Sequence, residues 1–228
     1  MIQVGVLGAS GYTGGELLRL IAGHSQMRIQ MLSADSRAGQ TAEDVFPHLS
    51  DLDFPNFVSL ENADYSNVEA IFCCLPHGTA QEVLPSLPKN VKIVDLSADF
   101  RLRDNNKYAE FYNREHRATE LQKQAVYGLT ELNRESVSSA RLVANPGCYP
   151  TGPQLALVPL LIERQIETDI IIDAKSGVSG AGRELKTSSL YTEVGEGVSA
   201  YNIASHRHSP EIDQGLSDAA HTQVKVSF

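Results

Sequence analysis

The first half of the chain alternates short apolar runs with amphipathic segments. Apolar runs with the length of buried strands occupy residues 2–7, 27–33, 68–75 and 91–96. Residues 15–22 place Leu17, Leu18 and Ile21 on one face of a helix, and residues 79–84 are predicted to form another helix. Because strands and helices alternate in this way, the pattern predicts an α/β fold with a doubly wound parallel sheet.

The pattern is less regular in the second half. Residues 97–128 are polar and aromatic with weak periodicity, and we expect them to be mostly loop. A helix over 132–140 and a short strand over 141–144 follow. Beyond them the pattern predicts a helix, a strand over 169–174, a Gly/Ser-rich loop, and a final helix and strand between residues 210 and 228.

This change of pattern predicts a domain boundary near Gly147. The first domain would cover residues 1–147, and a smaller catalytic, substrate-binding and oligomerisation domain would cover residues 148–228. The last seven residues alternate like a strand and then stop without a cap, a turn or a polar tail. We therefore expect the chain to be truncated relative to its relatives.

Composition and charge exclude several classes of protein. A formal charge of −9 disfavours nucleic acid and anionic membrane surfaces as partners. No apolar stretch is long enough to span a bilayer, and the N-terminus lacks the pattern of a secretion signal. The three cysteines, of which Cys73 and Cys74 are adjacent in an apolar strand, indicate core residues rather than a disulfide framework. A reducing cytoplasm fits best.

A glycine-rich turn follows the first strand. Gly8, Gly11 and Gly14 are spaced G-x-x-G-x-x-G and lead into a helix, a context typical of a dinucleotide pyrophosphate site. A plain strand-to-helix turn is the competing interpretation. Asp35 lies where an acid would hold the ribose of NAD, whereas Ser36 and Arg37 would suit the 2′-phosphate of NADP.

A second cofactor neighbour is expected where the third predicted strand ends. Pro76 and His77 follow that strand, and ligands bind at the carboxyl ends of parallel strands. His77 is equally well explained as an ordinary loop residue.

The strongest chemical signal is the sequence N-P-G-C-Y-P-T at residues 145–151. It places Cys148 at the start of a helix, because an apolar run follows and Pro150 is tolerated in a first turn. Free amides and the positive end of the helix dipole would favour the thiolate, which is the nucleophilic form. A dinucleotide motif together with an activated thiol predicts a redox enzyme acting on an aldehyde or acyl group.

A histidine pair is the second chemical element. His208 is the first choice for an acid and base near neutral pH, with His206 as the alternative. Glu211, three residues beyond His208, would orient the imidazole or raise its basicity. We favour this interpretation over metal binding because no third ligand with suitable spacing is nearby.

Two further segments carry candidate anion-binding groups. The Gly/Ser-rich run over 176–183 ends in Arg183 and would cradle an anion or pack against a nicotinamide, or else form a flexible loop. Arg101 ends the run D-L-S-A-D-F-R at residues 95–101. Each arginine is a candidate clamp for phosphate or carboxylate, and each is also explained as a surface ion-pair partner.

These motifs, in order and spread over nearly the whole chain, resemble the N-acetyl-gamma-glutamyl-phosphate reductase family. Its signature P-G-C-Y-P separates it from the related aspartate-semialdehyde dehydrogenases. The resemblance implies a Rossmann-like NADP-binding domain and an α+β catalytic domain of the semialdehyde-dehydrogenase type, incomplete at the C-terminus here because family members continue well beyond this length. We therefore expect this chain to carry the catalytic set but to be unstable or inactive alone.

The resemblance also implies a reaction of arginine biosynthesis. The Cys148 thiolate attacks N-acetyl-gamma-glutamyl phosphate, phosphate leaves, and hydride from NADPH reduces the thioester to N-acetylglutamate 5-semialdehyde. His208 would protonate the departing or collapsing oxygen, with Glu211 completing the catalytic set. Substrate contacts are expected at Arg101, Arg183 and His206. Cofactor contacts are expected at Gly8, Ser10, Gly11, Tyr12, Thr13, Gly14, Ser36, Arg37, Pro76, His77, Ser179 and Gly180.

The same family implies a homo-oligomer, dimer or tetramer, in the cytoplasm, with no metal, nucleic acid or membrane partner. Two alternatives stay open. One is a related acyl-phosphate reductase such as aspartate-semialdehyde dehydrogenase, and the other is a truncated, non-catalytic NADP-binding domain.

Overall fold

A computed structural model describes all 228 residues, in two compact units. One unit consists of Met1–Phe100 and His116–Asn145, and the other of Arg101–Glu115 and Pro146–Phe228. The predicted division into residues 1–147 and 148–228 treats each domain as one continuous stretch. In the structure the segment Arg101–Glu115 belongs with the second unit.

The first unit is built on a seven-stranded sheet in which every neighbouring pair is parallel. Its strands are β1 (Ile2–Leu7), β2 (Met27–Ser33), β3 (Phe57–Val58), β4 (Ala70–Cys73), β5 (Lys92–Asp95), β6 (Ala125–Tyr127) and β7 (Leu142–Ala144). Their order across the sheet is β3-β2-β1-β4-β5-β7-β6. The chain changes direction across the sheet between β1 and β4, where ligands of doubly wound folds bind. The predicted Rossmann-like fold is confirmed.

The chain also contains nine α-helices. In chain order they are α1 (Tyr12–Ala22), α2 (Ala42–Val45), α3 (Thr79–Val83), α4 (Asn105–Tyr112), α5 (Thr119–Gln122), α6 (Thr130–Ser139), α7 (Cys148–Ile162), α8 (Tyr191–Val194) and α9 (Ser209–Ala220). None of them combines the length and the apolar character needed to cross a bilayer.

The sheet separates two hydrophobic cores because successive side chains of a strand point to opposite faces. In β1, Val4 and Val6 join one core and Leu7 joins the other. In the run that contains β4, Cys73 is buried in the core of Leu7, and Cys74 packs against the core of Val4. Both cysteines are therefore packing residues, as the apolar run predicted.

Residues 97–128 are loop over about half their length, but the prediction missed three regular elements. This stretch contains α4, α5 and the strand β6. Helix α4 begins after Asp104, whose carboxylate accepts the amides of Asn106 (2.8 Å) and Lys107 (3.3 Å). Tyr108 is its one buried residue, so the helix shows little hydrophobic periodicity. Strand β6 is a three-residue edge strand, too short to alternate visibly.

The second unit is organised around α7 and α9. A small core holds Val158, Leu161, Ile212, Leu216 and Val224. Two short parallel strands, β8 (Asp169–Ile171) and β9 (Lys225–Ser227), form a separate sheet. Helices α7 and α9 approach closely at Gly215, where a Cβ atom would lie 2.0 Å from the buried amide oxygen of Gln154. This close contact packs the middle of α9 against the middle of α7.

A buried carboxyl group lies at the end of β5. Asp95 is fully buried and accepts hydrogen bonds from the Ser97 amide (3.1 Å) and hydroxyl (2.7 Å). Burial raises the pKa of Asp95 from 3.8 to about 6, although the Ser97 hydrogen bonds act in the opposite direction. The folded state therefore favours the protonated acid. This contribution to stability is complete below pH 3.8 and is lost as the pH rises through about 6.

We predict that Asp95→Asn removes this pH dependence. Asparagine keeps the shape, and the Ser97 hydroxyl can rotate to suit the amide. Between pH 4 and pH 7.5 the free energy of unfolding of the variant should rise relative to wild type by about 2 kcal/mol. Denaturant unfolding at both pH values measures this difference, with the exposed Asp53→Asn as the control. A constant difference between Asp95→Asn and wild type would contradict the assignment.

Candidate functional site

The three glycines of the turn after β1 differ in whether the fold requires glycine at their position. Gly8 has φ +70°, and a Cβ atom there would lie 2.8 Å from the backbone of Cys74. A Cβ atom on Gly14 would lie 2.2 Å from the carbonyl oxygen of Ala9. Gly11 differs, because a Cβ atom there would have no neighbour within 4 Å. The fold requires the first and third glycines, whereas the second borders open space.

Helix α1 presents its first amides without a protein acceptor in the helix. Gly11 is its N-cap and provides no side-chain cap, and the first helical bond runs from the Gly15 amide to the Gly11 carbonyl (2.9 Å). The amides of Tyr12, Thr13 and Gly14 precede that bond. An uncapped helix start beside open space fits a pyrophosphate. Ser10 is half-buried in the same turn.

The residues after β2 are the candidates for contact with the ribose of NAD or with the 2′-phosphate of NADP. Asp35, Ser36 and Arg37 form a short 3-10 turn, and all three are exposed. The carboxylate of Asp35 accepts the Leu60 amide at 2.7 Å, which ties it to the neighbouring loop. Asp35 thus has a structural role, whereas the exposed side chain of Arg37 suits an added phosphate.

His77 and its neighbours join the loops after β4 and β5. The Nδ1 atom of His77 accepts the Ala98 amide at 3.0 Å, and the Gly78 amide donates to the buried carboxylate of Asp99 at 2.7 and 3.0 Å. His77 therefore supports the loop that follows β4, where Pro76 is exposed. Contact of Pro76 and His77 with a cofactor stays a prediction.

The predicted nucleophile lies in the second unit. Cys148 is exposed and is the first residue of α7. Its N-cap, Gly147, offers no side-chain cap, and the first turn contains no acidic residue. Because Pro150 has no N–H, the amides of Cys148 and Tyr149 are the donors at this helix start, beside the Cys148 thiol.

His208 lies against the residue that precedes this cysteine. A Cβ atom on Gly147 would lie 2.8 Å from His208 Nε2 and 3.0 Å from Arg101 Nη1. The backbone of Gly147 has φ −64°, which any residue adopts, so glycine is needed here for space. The structure thus brings the imidazole of His208 to the turn that carries Cys148.

His206 occupies a different environment from His208. Its Nδ1 atom accepts the His208 amide at 3.1 Å. Burial, followed by the charge of Arg207, lowers the pKa of His206. A neutral ring that accepts at Nδ1 carries its proton on Nε2. His206 therefore supports the backbone of His208.

Aromatic rings surround His206. The ring centroids of Tyr149, Tyr201 and Phe228 lie 5.2–5.6 Å from that of His206, with the rings edge to face. The Tyr201 hydroxyl donates to the Tyr149 hydroxyl at 3.0 Å. Burial, followed by this hydrogen bond, raises the pKa of Tyr201 to about 12. In the sequence Tyr149 stands out only as part of the cysteine motif, and nothing around Tyr201 indicates that it lies beside His206.

Glu211 and Arg101 form a buried ion pair. Glu211 Oε2 lies 3.5 Å from Arg101 Nη1, and their side chains are 1% and 7% exposed. Glu211 Oε1 accepts the Gly147 amide at 2.8 Å. We predicted that Glu211 would orient the imidazole and that Arg101 would grip the substrate. These contacts show each of them in a structural role, and the predicted roles stay untested.

The remaining predicted residues lie on the surface. Ser179 and Gly180 belong to the 3-10 turn Val178–Ala181, and Arg183 follows Gly182, whose φ is +85°. All of them are exposed, so their expected contacts with cofactor and substrate stay predictions. No three side chains of His, Cys, Asp or Glu are grouped as metal ligands.

Comparison with known families agrees with the fold. Residues 3–140 match the family model described as semialdehyde dehydrogenase, NAD binding domain, and residues 148–228 match semialdehyde dehydrogenase, dimerisation domain. An aspartate semialdehyde dehydrogenase II from Vibrio cholerae, solved with ASA, has a TM-score of 0.68 at 13% identity, covering 100% of this chain and 69% of that one. Aspartate semialdehyde dehydrogenase with NADP from Candida albicans has a TM-score of 0.61 at 15% identity, covering 100% and 66%. Fold and site thus define an NAD(P)-binding domain of the semialdehyde dehydrogenase class.

Curated relatives show which family within the semialdehyde dehydrogenase class this chain resembles in sequence. A probable chloroplastic N-acetyl-gamma-glutamyl-phosphate reductase from Oryza sativa is 60% identical over 228 residues, covering 100% of this chain and 55% of that protein. An N-acetyl-gamma-glutamyl-phosphate reductase from Cereibacter sphaeroides is 51% identical over 231 residues, covering 100% and 68%. The chain belongs to the N-acetyl-gamma-glutamyl-phosphate reductase family. It spans little more than half the length of its rice relative.

We predict that alanine is tolerated at Gly11 but not at Gly14. Gly14→Ala should lower the melting temperature by more than 5 °C, because its Cβ atom would collide with the Ala9 carbonyl. Gly11→Ala should melt within about 2 °C of wild type. Thermal unfolding followed by circular dichroism measures both. Equal destabilisation by the two variants would contradict the view that Gly11 borders open space.

Proposed function

We propose that the protein to which this chain belongs reduces N-acetyl-gamma-glutamyl phosphate to N-acetylglutamate 5-semialdehyde and phosphate, with NADPH as the reductant. The observation that carries the proposal is the exposed Cys148 at the start of α7, with the His208 imidazole against Gly147. The names of relatives at 51–60% identity support the choice of substrate.

The first chemical step belongs to Cys148. Its thiolate attacks the acyl carbon, a carbon–sulfur bond forms, the carbon–oxygen bond to phosphate breaks, and inorganic phosphate leaves with the bonding electrons. The amides of Cys148 and Tyr149 at the start of α7 point toward negative charge that develops on the carbonyl oxygen. The product of this step is a thioester on Cys148.

The second step needs a hydride and a proton. NADPH, when bound, supplies the hydride that reduces the thioester. His208 supplies the proton to the oxygen of the hemithioacetal and takes it back as the aldehyde leaves and the thiolate is regenerated. His206 keeps the His208 backbone in place through the bond to its Nδ1 atom (3.1 Å).

The structure offers a fitting cradle for the cofactor. The open space beside Gly11 and the uncapped start of α1 suit the pyrophosphate, with contacts from Ser10 to Gly14. We favour NADP(H) over NAD(H) because Arg37 is exposed after β2, whereas Asp35 is bonded to the Leu60 amide. Pro76 and His77 are proposed as further contacts.

The remaining roles are proposed from residue chemistry. Arg183 is an exposed cation suited to a substrate anion, and Ser179 and Gly180 precede it in the same turn. A homo-oligomer is proposed because residues 148–228 match a dimerisation domain. Cytoplasmic localisation stays a prediction, and the rice relative is named as chloroplastic.

We predict that Cys148→Ala abolishes acyl transfer and leaves cofactor binding intact. Incubated with the acyl phosphate and no cofactor, wild type should release one phosphate per chain and gain one acyl group on Cys148 by mass spectrometry. The variant should do neither. Fluorescence titrations of both proteins should give equal affinities for NADPH, each tighter than for NADH. An acyl group gained by the variant would refute the thioester route.

We predict that His208→Asn slows semialdehyde formation about a hundredfold, because the proton donor is lost. His206→Asn is the matched comparison, since it removes a second imidazole from the same cluster. Its effect should stay within about tenfold, because His206 acts through the backbone. Stopped-flow measurement of NADPH oxidation gives both rates. If His206→Asn is the more damaging change, the roles of the two histidines are reversed.

A further inference from the structure

We propose that Asp99 is a positioning residue for the nicotinamide half of the cofactor, because its carboxylate holds the loop after β4 beside the glycine turn. Asp99 is fully buried, so it acts on the cofactor through that loop. The inference rests on the proposed function, since it concerns how the protein orients bound NADPH. It adds a residue outside the motifs from which the cofactor contacts were predicted.

The order of the strands shows which half of the cofactor this loop would meet. Strand β1, whose glycine turn suits the pyrophosphate, lies between β2 and β4 in the sheet. Ser36 and Arg37, the candidates for the 2′-phosphate of the adenosine half, follow β2. The loop after β4 is therefore on the other side of the pyrophosphate site, where the nicotinamide half of an extended dinucleotide would lie.

This loop, residues 76–78, begins in contact with the glycine turn. A Cβ atom on Gly8 would lie 2.8 Å from the backbone of Cys74 and 3.0 Å from the amide nitrogen of Leu75. Residues 76–78 follow directly in the chain. A shift of this loop would therefore change the space beside the pyrophosphate site.

Hydrogen bonds in both directions join this loop to the loop after β5. The Gly78 amide donates to both carboxylate oxygens of Asp99, at 2.7 and 3.0 Å, and the Ala98 amide donates to His77 Nδ1 at 3.0 Å. A charged acceptor holds an amide more strongly than a neutral one, so the bond to Asp99 is the stronger of the two. Because Gly78 is buried, loss of the carboxylate would leave its amide without this partner and away from solvent.

The backbone of Asp99 is itself anchored on both sides. Its amide donates to the Ser97 hydroxyl at 3.1 Å, and its carbonyl accepts a hydrogen bond from His116 Nε2 at 2.7 Å. The His116 Nδ1 atom accepts the Ala118 amide at 3.2 Å, which leaves Nε2 as the nitrogen that carries the proton. A carboxylate on an anchored backbone can fix the position of a neighbouring loop, which is what a positioning role requires.

A whole cofactor and a cofactor fragment test this proposal on the purified chain. NADPH contains both halves, whereas adenosine 2′,5′-bisphosphate lacks the nicotinamide half. Asp99→Ala removes both carboxylate oxygens, and Asp99→Asn keeps one oxygen for the Gly78 amide. Asp95→Asn is the matched control, because it changes a neighbouring buried acid that bonds to Ser97 instead of Gly78.

For a positioning residue, Asp99→Ala should weaken NADPH binding by about tenfold or more, because the freed loop must be ordered again around the nicotinamide half. Its affinity for adenosine 2′,5′-bisphosphate should stay within about twofold of wild type. Asp99→Asn should weaken NADPH binding about threefold, and Asp95→Asn should leave both affinities within about twofold. Isothermal titration calorimetry measures these affinities. Equal losses for the two ligands in Asp99→Ala would show a general structural role and overturn the proposal.

Amide hydrogen exchange gives a readout that needs no cofactor. Exchange at Gly78, followed by NMR, should be about tenfold or more faster in Asp99→Ala and unchanged in Asp95→Asn. Faster exchange without weaker NADPH binding would overturn the proposal, because the loop would then be free without consequence for the cofactor.

The same titrations separate this inference from the proposed function. If the wild-type chain binds no NADPH, the proposed function and this inference both fail. If wild type binds NADPH and Asp99→Ala binds it equally well, only this inference fails. If Asp99→Ala does not fold, Asp99→Asn replaces it, and wild-type affinity for NADPH in that variant would overturn the proposal.

Discussion

The hydrogen bond from the Gly147 amide to the buried carboxylate of Glu211 is the constraint on which the reactive centre depends. It is 2.8 Å long, and its donor is the N-cap residue of helix α7, which immediately precedes Cys148. A charged acceptor in a water-poor site holds an amide more strongly than a neutral one. The buried cation of Arg101 offsets the burial of that charge. The residue before the nucleophile and the proton donor are therefore both held through backbone amides, that of Gly147 by Glu211 and that of His208 by His206.

Buried acidic side chains also accept backbone amides at the sheet of the first unit. The fully buried carboxylate of Asp99 accepts the amide of Gly78, whose φ is +87°, and Asp95 accepts the amide of Ser97. In each case a buried acidic side chain accepts a backbone amide of a loop that follows a strand, Gly78 after β4 and Ser97 after β5. Loops at the carboxyl ends of β4 and β5 gain rigidity in this way, which suits a surface that receives a ligand.

Glycine serves three purposes in this chain. At Gly8 it allows a positive φ, at Gly14 and Gly215 it allows close approach of backbone or side chain, and at Gly147 it leaves room for an imidazole. Gly11 meets none of these needs and faces open space. A glycine that the fold does not require, between two that it does, is a physical reason to place a ligand at this turn.

The sequence by itself determined the doubly wound sheet, the glycine turn, and the position of Cys148 at the start of a helix. These features depend on local periodicity and on the conformational limits of glycine and proline, which act over a few residues. The sequence did not reveal α4 or β6, because a helix with one buried residue and a three-residue edge strand leave no periodic pattern.

Only the tertiary structure decided how Arg101, Gly147 and Glu211 are related. Arg101 and Glu211 are 110 positions apart, and the pattern around Arg101 placed its segment in the first domain, whereas the fold joins it to the second unit. Folding also distinguished His206, whose Nδ1 atom accepts an amide, from His208, which lies against Gly147. Contacts of this kind arise from packing between distant elements, which no local propensity encodes.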